Sequence, residues 1–311
     1  MKTHGIRFIV TSLCNYDCVY CHNEWEPKEK ELTTLETDLI KELIFSCKEL
    51  GGKEVDLTGG EPLLRIDKVE FIIKTATTLE LWTNLTTNGS LLDKYGERLI
   101  QAGLKEIHIH IPSLNSLRYN ELMRRNSDLN KILKIIADYA RKFPVIKANI
   151  PIICGKNDDE IPEMIKFFNS KGITPRFIES MSTSSYKAPE QRIFENVIRE
   201  HLPNFTLKNS YLWGINEYES ELGSFETLRC ICFDRKCDIC PENNFIHVDQ
   251  NYKIRPCNLR PFKIQAEKNN TAESLNKALE FLNKQTDIPE EYKKMWGEEH
   301  IPIRITARDK K

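Results

Sequence analysis

The stretch that decides the fold reads Gly5-Ile6-Arg7-Phe8-Ile9-Val10-Thr11, then Ser12 and Leu13, then Cys14-Asn15-Tyr16-Asp17-Cys18-Val19-Tyr20-Cys21. The first seven residues are mostly apolar and rich in β-branched side chains, the composition of a buried strand. The next eight place three cysteines on one short loop with C-x3-C-x2-C spacing. Three thiolates so placed can each hold one iron of a [4Fe-4S] cube and leave the fourth iron open to a small chelating molecule. A structural zinc site asks for a fourth protein ligand, and His22, adjacent to Cys21, is poorly spaced to wrap round the same ion.

The strand recurs along the chain. Glu54–Thr58, Leu79–Thr83, Glu106–Ile111, Val145–Ile153 and Thr174–Ile178 are further β-branched-rich segments. Between them Leu35–Leu50, Leu91–Ala102, Leu129–Ala140 and Asp158–Ser170 show helical periodicity. Thr33 or Thr34, Gly51-Gly52 and the Asn157-Asp158-Asp159-Glu160 run serve as helix start and stop signals. Strand-helix alternation predicts parallel strands with crossover helices, here a partial (β/α)6 barrel of α/β class over residues 1–181. Its functional groups are expected at the carboxyl ends of the strands, where the cysteine loop lies. Residues 182–311 are less periodic and read as a carboxyl-terminal extension.

Composition narrows the function classes. In 311 residues, 45 lysines and arginines face 46 aspartates and glutamates, a net charge of -1 that offers no surplus for a polyanion. Nucleic acid is therefore not expected as a partner. No run of about 18 apolar residues would span a membrane, and the amino-terminal apolar run is too short for a signal peptide, so the protein is expected in the cytoplasm. Eight of the ten cysteines fall in two knots, the second being Cys230, Cys232, Cys237, Cys240 and Cys257. In a reducing compartment such spacing argues for metal rather than disulfides. Cys47 and Cys154 stand alone and read as small buried hydrophobes.

Two further loops follow strands. Thr58-Gly59-Gly60-Glu61-Pro62 combines glycines, which permit close backbone approach, with a negative charge suited to an ammonium. Leu85-Thr86-Thr87-Asn88-Gly89 ends the third strand. In Ile107-His108-Ile109-His110-Ile111, alternation puts both histidines on one face, where they either line the barrel or sit as satisfied polar residues beneath it.

With the cysteine loop, these features resemble the radical S-adenosylmethionine enzymes. The resemblance implies that the open iron binds S-adenosylmethionine and that Tyr20, Gly59, Gly60, Glu61, Thr86, His110 and Met181 contact it. A serine is usual at the position of His110 in close relatives. The order of Thr87-Asn88-Gly89, Ala102-Gly103-Leu104, Met123-Arg124-Arg125, Ile146-Lys147-Ala148-Asn149, Gly155 to Ile161 and Arg176-Phe177-Ile178-Glu179-Ser180-Met181 is similar to the GTP 3',8-cyclase family. That likeness implies a substrate such as GTP or a related purine nucleotide, bound through Arg7, Lys53, Lys147 and Arg176. It also implies an electron donor such as flavodoxin or ferredoxin.

The second knot resembles the family's auxiliary [4Fe-4S] site, with Cys237, Cys240 and Cys257 as ligands, in a region of about 228–262. Cys230 and Cys232 are additional, so the second cube can gain a fourth thiolate, and a zinc site of four cysteines stays open as an alternative. Glu242 and Asn244 stand where the family has arginines, and the chain closes Arg308-Asp309-Lys310-Lys311 instead of on two glycines. Those departures leave room for a paralogue that modifies a peptide, nucleoside or sugar. A non-catalytic iron-sulfur or zinc protein is the alternative from another class.

Overall fold

The computed structural model describes residues 2–21, 31, 34–180, 194–211, 214–229, 245–257 and 262–284. Six parallel strands form its centre: β1 (Gly5–Ile9), β2 (Glu54–Thr58), β3 (Trp82–Thr87), β4 (Glu106–His110), β5 (Val145–Ile152) and β6 (Thr174–Glu179). The crossovers run through α1 (Thr37–Glu49), α2 (Ile66–Thr78), α3 (Leu92–Ala102), the pair α4 (Ser116–Met123) and α5 (Leu129–Tyr139), and α6 (Ile161–Ser170). Strand faces separate cleanly. Val55, Leu57, Leu85, Ile107, Ile109, Ala148 and Phe177 are buried against the helices, and the alternate positions form a polar inner face.

Two expectations need correction. The third strand starts at Trp82, not Leu79, because α2 continues to Thr78 and the chain then turns through Glu80 at a left-handed φ of 57°. The apolar Leu79 and Leu81 looked like strand. The true strand is polar on one side, with Asn84 and Thr86 on the inner face. Asn157 caps nothing with its side chain. It is buried, its Oδ1 accepts from Ile153 N at 2.7 Å, and its Nδ2 donates to the carbonyls of Pro112 and Pro151 at 2.7 and 2.8 Å. It stitches together the chain leaving β4 and β5.

Later segments widen the same sheet on both edges. After α7 (Phe194–His201), the antiparallel β7 (Phe205–Tyr211), β8 (Ile215–Ser220) and β9 (Gly223–Leu228) attach through a parallel β9–β6 pairing. On the other side β10 (Phe245–Val248) runs parallel to β1 and leads into antiparallel β11 (Lys253–Arg255) and β12 (Ile264–Gln265). The last described helix, Thr271–Asn283, packs on α1, where Ser46 and Thr271 hydroxyls meet at 2.8 Å. No helix among the described residues is long and apolar enough to cross a membrane.

Candidate functional site

Three loops meet at the carboxyl ends of β1, β2 and β3. Backbone bonds zip the first two together: Val10 N to Thr58 O at 2.8 Å, Gly60 N to Thr11 O at 2.8 Å and Glu61 N to Leu13 O at 2.7 Å. This contact explains the glycine pair. A Cβ on Gly60 would stand 2.0 Å from Leu13 O, and one on Gly59, whose φ is 143°, would stand 2.5 Å from Thr11 O. The close approach is to the cysteine loop itself.

Glu61 joins the third loop. It is fully buried, its Oε1 accepts from Leu63 N at 3.0 Å and Thr87 Oγ1 at 2.8 Å, and its Oε2 accepts from Asn88 N at 2.8 Å. Burial nevertheless pushes its carboxyl above the ordinary range. Asn88 in turn donates to Asn15 Oδ1 at 2.8 Å and lies 4.0 Å from Cys14 Sγ. Thr87 and Asn88 were quoted only as part of a motif; the structure makes them the brace of the cysteine loop. Thr86 faces inward, half-buried and in register with His108.

The far side of the cysteine loop is strapped to α4. Val19 N donates to Leu122 O at 2.9 Å, and Tyr16 Oη and Ser127 Oγ meet at 2.9 Å. Tyr20 Oη donates to Met123 Sδ at 3.0 Å, and burial followed by the Cys18 charge pushes this phenol up. Cys14 is exposed while Cys18 and Cys21 are half-buried. Burial, with Cys21 next, pushes the Cys18 thiol up to about 12, and burial raises Cys14 as well. A metal charge reverses this and draws the thiolates out. Among the described residues no three His, Cys, Asp or Glu side chains converge on a point for one ion. Thiolates that hold separate irons of a cube have no need to converge, so the loop fits a cube of three protein ligands.

On the inner face the expected substrate cations are matched by carboxylates. Arg7 Nε lies 2.5 Å from Asp56 Oδ2, Arg176 Nε 2.6 Å from Glu226 Oε2, and Lys147 Nζ 3.1 Å from Glu106 and 3.0 Å from Glu226. His108 adds a 2.7 Å bond to Glu106. Burial works against the Glu106 charge, yet His108 and Lys147 outweigh it and hold that carboxyl well below the usual range. Buried and bonded to Glu106, His108 is the satisfied polar residue of the two readings, and burial lowers its pKa. His110 ends β4 in register with Asn149. Lys53 is exposed before the amino end of β2, at the mouth opposite the three loops.

Cys257 also belongs to that opposite mouth. Arg255 is in register with His247, and His247 with Arg7, so antiparallel β11 carries the chain back toward the amino end of β1 before Cys257. Met181, Cys230, Cys232, Cys237, Cys240, Glu242 and Asn244 lie outside the described residues. Cys47 is fully buried, as expected of a small hydrophobe, and burial pushes its thiol up to about 12.

The family model described as the Radical SAM superfamily matches residues 8–168. The GTP 3',8-cyclase of Alkaliphilus oremlandii is 40% identical over 187 residues, covering 58% of this chain and 57% of that protein. The match thus spans little more than half of the relative's length. The GTP 3',8-cyclase of Aliarcobacter butzleri is 32% identical over 268 residues, 82% of this chain and 80% of that protein. Among solved structures, Streptococcus suis SuiB bound to S-adenosylmethionine superposes with a TM-score of 0.67 at 15% identity, over 91% of this chain and 68% of that one. This last likeness is one of fold.

Proposed function

The chain belongs to the radical SAM superfamily, and on that premise we propose that it cleaves S-adenosylmethionine beside the Cys14/Cys18/Cys21 loop and takes a hydrogen atom from GTP or a related purine nucleotide inside the barrel. As a radical SAM enzyme it uses a [4Fe-4S] cluster and S-adenosylmethionine. A cluster held by Cys14, Cys18 and Cys21 would pass one electron from the external donor into the carbon–sulfur bond of bound S-adenosylmethionine, the reductive cleavage that supplies hydrogen-abstracting power. The observation that carries the reading is the convergence of the cysteine, Gly59-Gly60-Glu61 and Thr86-Thr87-Asn88 loops at one mouth, within the residues 8–168 that match the radical SAM family model.

In this reading Cys14, Cys18 and Cys21 hold three irons. Backbone groups of Gly59 and Gly60, with Tyr20, Thr86, His110 and Met181, surround the cofactor, while Glu61 fixes the loops that present them. The packed helices exclude water from the interior. Residues 1–181 act as the barrel and 182–311 as an extension that brings Cys237, Cys240 and Cys257, with Cys230 or Cys232, to a second cluster at the opposite mouth. The electron comes from a flavodoxin or ferredoxin, in the cytoplasm.

A second reading, a relative that modifies a nucleoside, sugar or peptide, is favoured by one observation. Arg7, Lys147 and Arg176 already hold carboxylates, and a triphosphate needs uncommitted cations.

The test is anaerobic. Reconstituted, dithionite-reduced protein receives S-adenosylmethionine and GTP, and 5'-deoxyadenosine and GTP-derived products are followed by mass spectrometry, with Cys18→Ala as the control. The expected result is deoxyadenosine with a product derived from GTP. Deoxyadenosine with GTP untouched moves the assignment to the second reading, and no deoxyadenosine from any purine ends the proposal.

A further inference from the structure

A charged cluster outside the barrel lies against the start of the cysteine loop. Glu31 Oε2 accepts from Thr11 Oγ1 at 2.7 Å, Ser12 N at 3.1 Å and Ser12 Oγ at 3.2 Å, and its Oε1 accepts from Arg65 Nε at 3.0 Å. Lys68, three residues on from Arg65 in α2, donates from Nζ to Val10 O at 3.3 Å. Its ammonium also lies 4.5 Å from the centre of the Tyr252 ring. Four residues separate Val10 from Cys14, a span of no more than about 14 Å. Half-buried charges are screened by salt much less than exposed ones, so a field acts over that span.

The groups that face Lys68 are Glu31, Arg65 on its own element, and Asp249 and Tyr252 from the turn after β10. Asp249 also pairs with Arg255 at 3.4 Å. Glu36 is exposed and meets the Tyr252 hydroxyl through its backbone N–H at 3.2 Å. With Lys68 protonated, three cations of this set (Arg65, Lys68 and Arg255) stand against two carboxylates, Glu31 and Asp249. With Lys68 neutral the charges cancel. An iron-sulfur cube that takes up an electron gains negative charge, and the charges and hydrogen bonds around it set its potential.

We propose that Lys68 is a positioning residue that tunes the first cluster: its ammonium, held at Val10 O behind the start of the cysteine loop, makes that cluster easier to reduce. This rests on the reading that Cys14, Cys18 and Cys21 hold a cluster. Burial brings Lys68 down to about 8 although Glu31 and Asp249 favour its charge, so the charge is present at neutral pH and lost above it. Burial works against the Glu31 charge, yet Thr11 and Arg65 hold that carboxyl below the ordinary range, and burial raises Tyr252 above the ordinary phenol value. Neither of them titrates between pH 7 and 10. Above pH 8 reduction therefore takes one electron from the external donor into the cluster and one proton from water onto Lys68; at lower pH the electron enters alone.

Potentiometric titration followed by electron paramagnetic resonance reads this on the reconstituted full chain, in a background of Cys237→Ala/Cys240→Ala/Cys257→Ala. At the applied potential that half-reduces the Lys68 parent at pH 7, Lys68→Met is expected to show a reduced-to-oxidised ratio about three- to tenfold smaller. Lys68→Arg, whose charge does not titrate, is expected to match the parent. Between pH 7 and 10 the parent should fall relative to both variants and meet Lys68→Met. Thermal melting and iron analysis show that each variant is folded and loaded. An unchanged ratio in Lys68→Met, no recovery in Lys68→Arg, or parallel pH curves for the parent and Lys68→Met overturns the proposal. A parent without iron at the loop removes the cluster reading and this proposal with it, whereas a loaded cluster of unchanged potential removes this proposal alone.

Discussion

Asn88 donates its backbone N–H to Glu61 Oε2 at 2.8 Å, and this bond ties the end of β3 to the loop after β2. Together with Leu63 N and Thr87 Oγ1 it gives one buried carboxylate three donors. Glu61→Gln replaces an acceptor oxygen with an amide that must face one of these donors. A buried donor left unmatched costs about 1–3 kcal/mol. Chemical denaturation should show a loss of that size, with faster bleaching of the cluster; an unchanged midpoint would show that the clamp is dispensable.

Gly60→Ala should fail differently. Its Cβ would meet a backbone carbonyl, Leu13 O, at 2.0 Å, and no side-chain motion relieves that. The cysteine loop must move, so the iron held at the first site should fall to less than half of the wild-type content. Gly155→Ala is the matching control: its φ of 74° adds strain, but nothing stands within 4 Å of the new Cβ. Iron analysis of both proteins in a background of Cys237→Ala/Cys240→Ala/Cys257→Ala isolates the first site.

Arg176 and Glu226 are each 7% exposed at the side chain and 2.6 Å apart. Removing either partner leaves a buried charge, at a cost of about 3–5 kcal/mol. The double variant Arg176→Met/Glu226→Leu should be considerably more stable than the sum of the single losses implies, with a coupling of about 1–3 kcal/mol in a urea double-mutant cycle. Additive losses would mean that water or Lys147 already compensates each charge.

Lys68 makes stability depend on alkaline pH. Burial depresses it to about 8 although Glu31 and Asp249 favour its charge, and its ammonium lies 4.5 Å from the centre of the Tyr252 ring. Since the folded-state value lies below the unfolded one, the unfolded chain holds the proton more tightly. The penalty is complete below pH 8 and fades as pH rises toward the ordinary lysine value of 10.5. Wild type should therefore gain stability relative to Lys68→Met across that window. Parallel urea midpoints in the two proteins would refute this by rising or falling together.

What the sequence made legible was local. The strand Gly5–Ile9, the cysteine spacing and the Gly59-Gly60-Glu61 run are each contiguous, so their chemistry reads directly from residue order. The roles of the cations were not legible in this way. Asp56 reaches Arg7 and Glu226 reaches Arg176 only because sheet register sets residues about 50 positions apart side by side. Glu61 looked like a charge offered to a ligand, and burial turned it into a brace. β3 was displaced because its inward residues, Asn84 and Thr86, are polar where a parallel strand is usually apolar on both faces.

The pairing of β1 with β10 sets a clock. Gly5 sits between Glu54 and Phe245, so the strand that leads into the cysteine loop has one neighbour early in synthesis and gains the other only some 240 residues later. At roughly 5–20 residues per second, that interval lasts on the order of ten to fifty seconds on the ribosome. During it the edge of β1 that β10 covers has no strand to pair with. A silent codon change that slows translation between residues 60 and 245 would lengthen that interval without altering a single side chain.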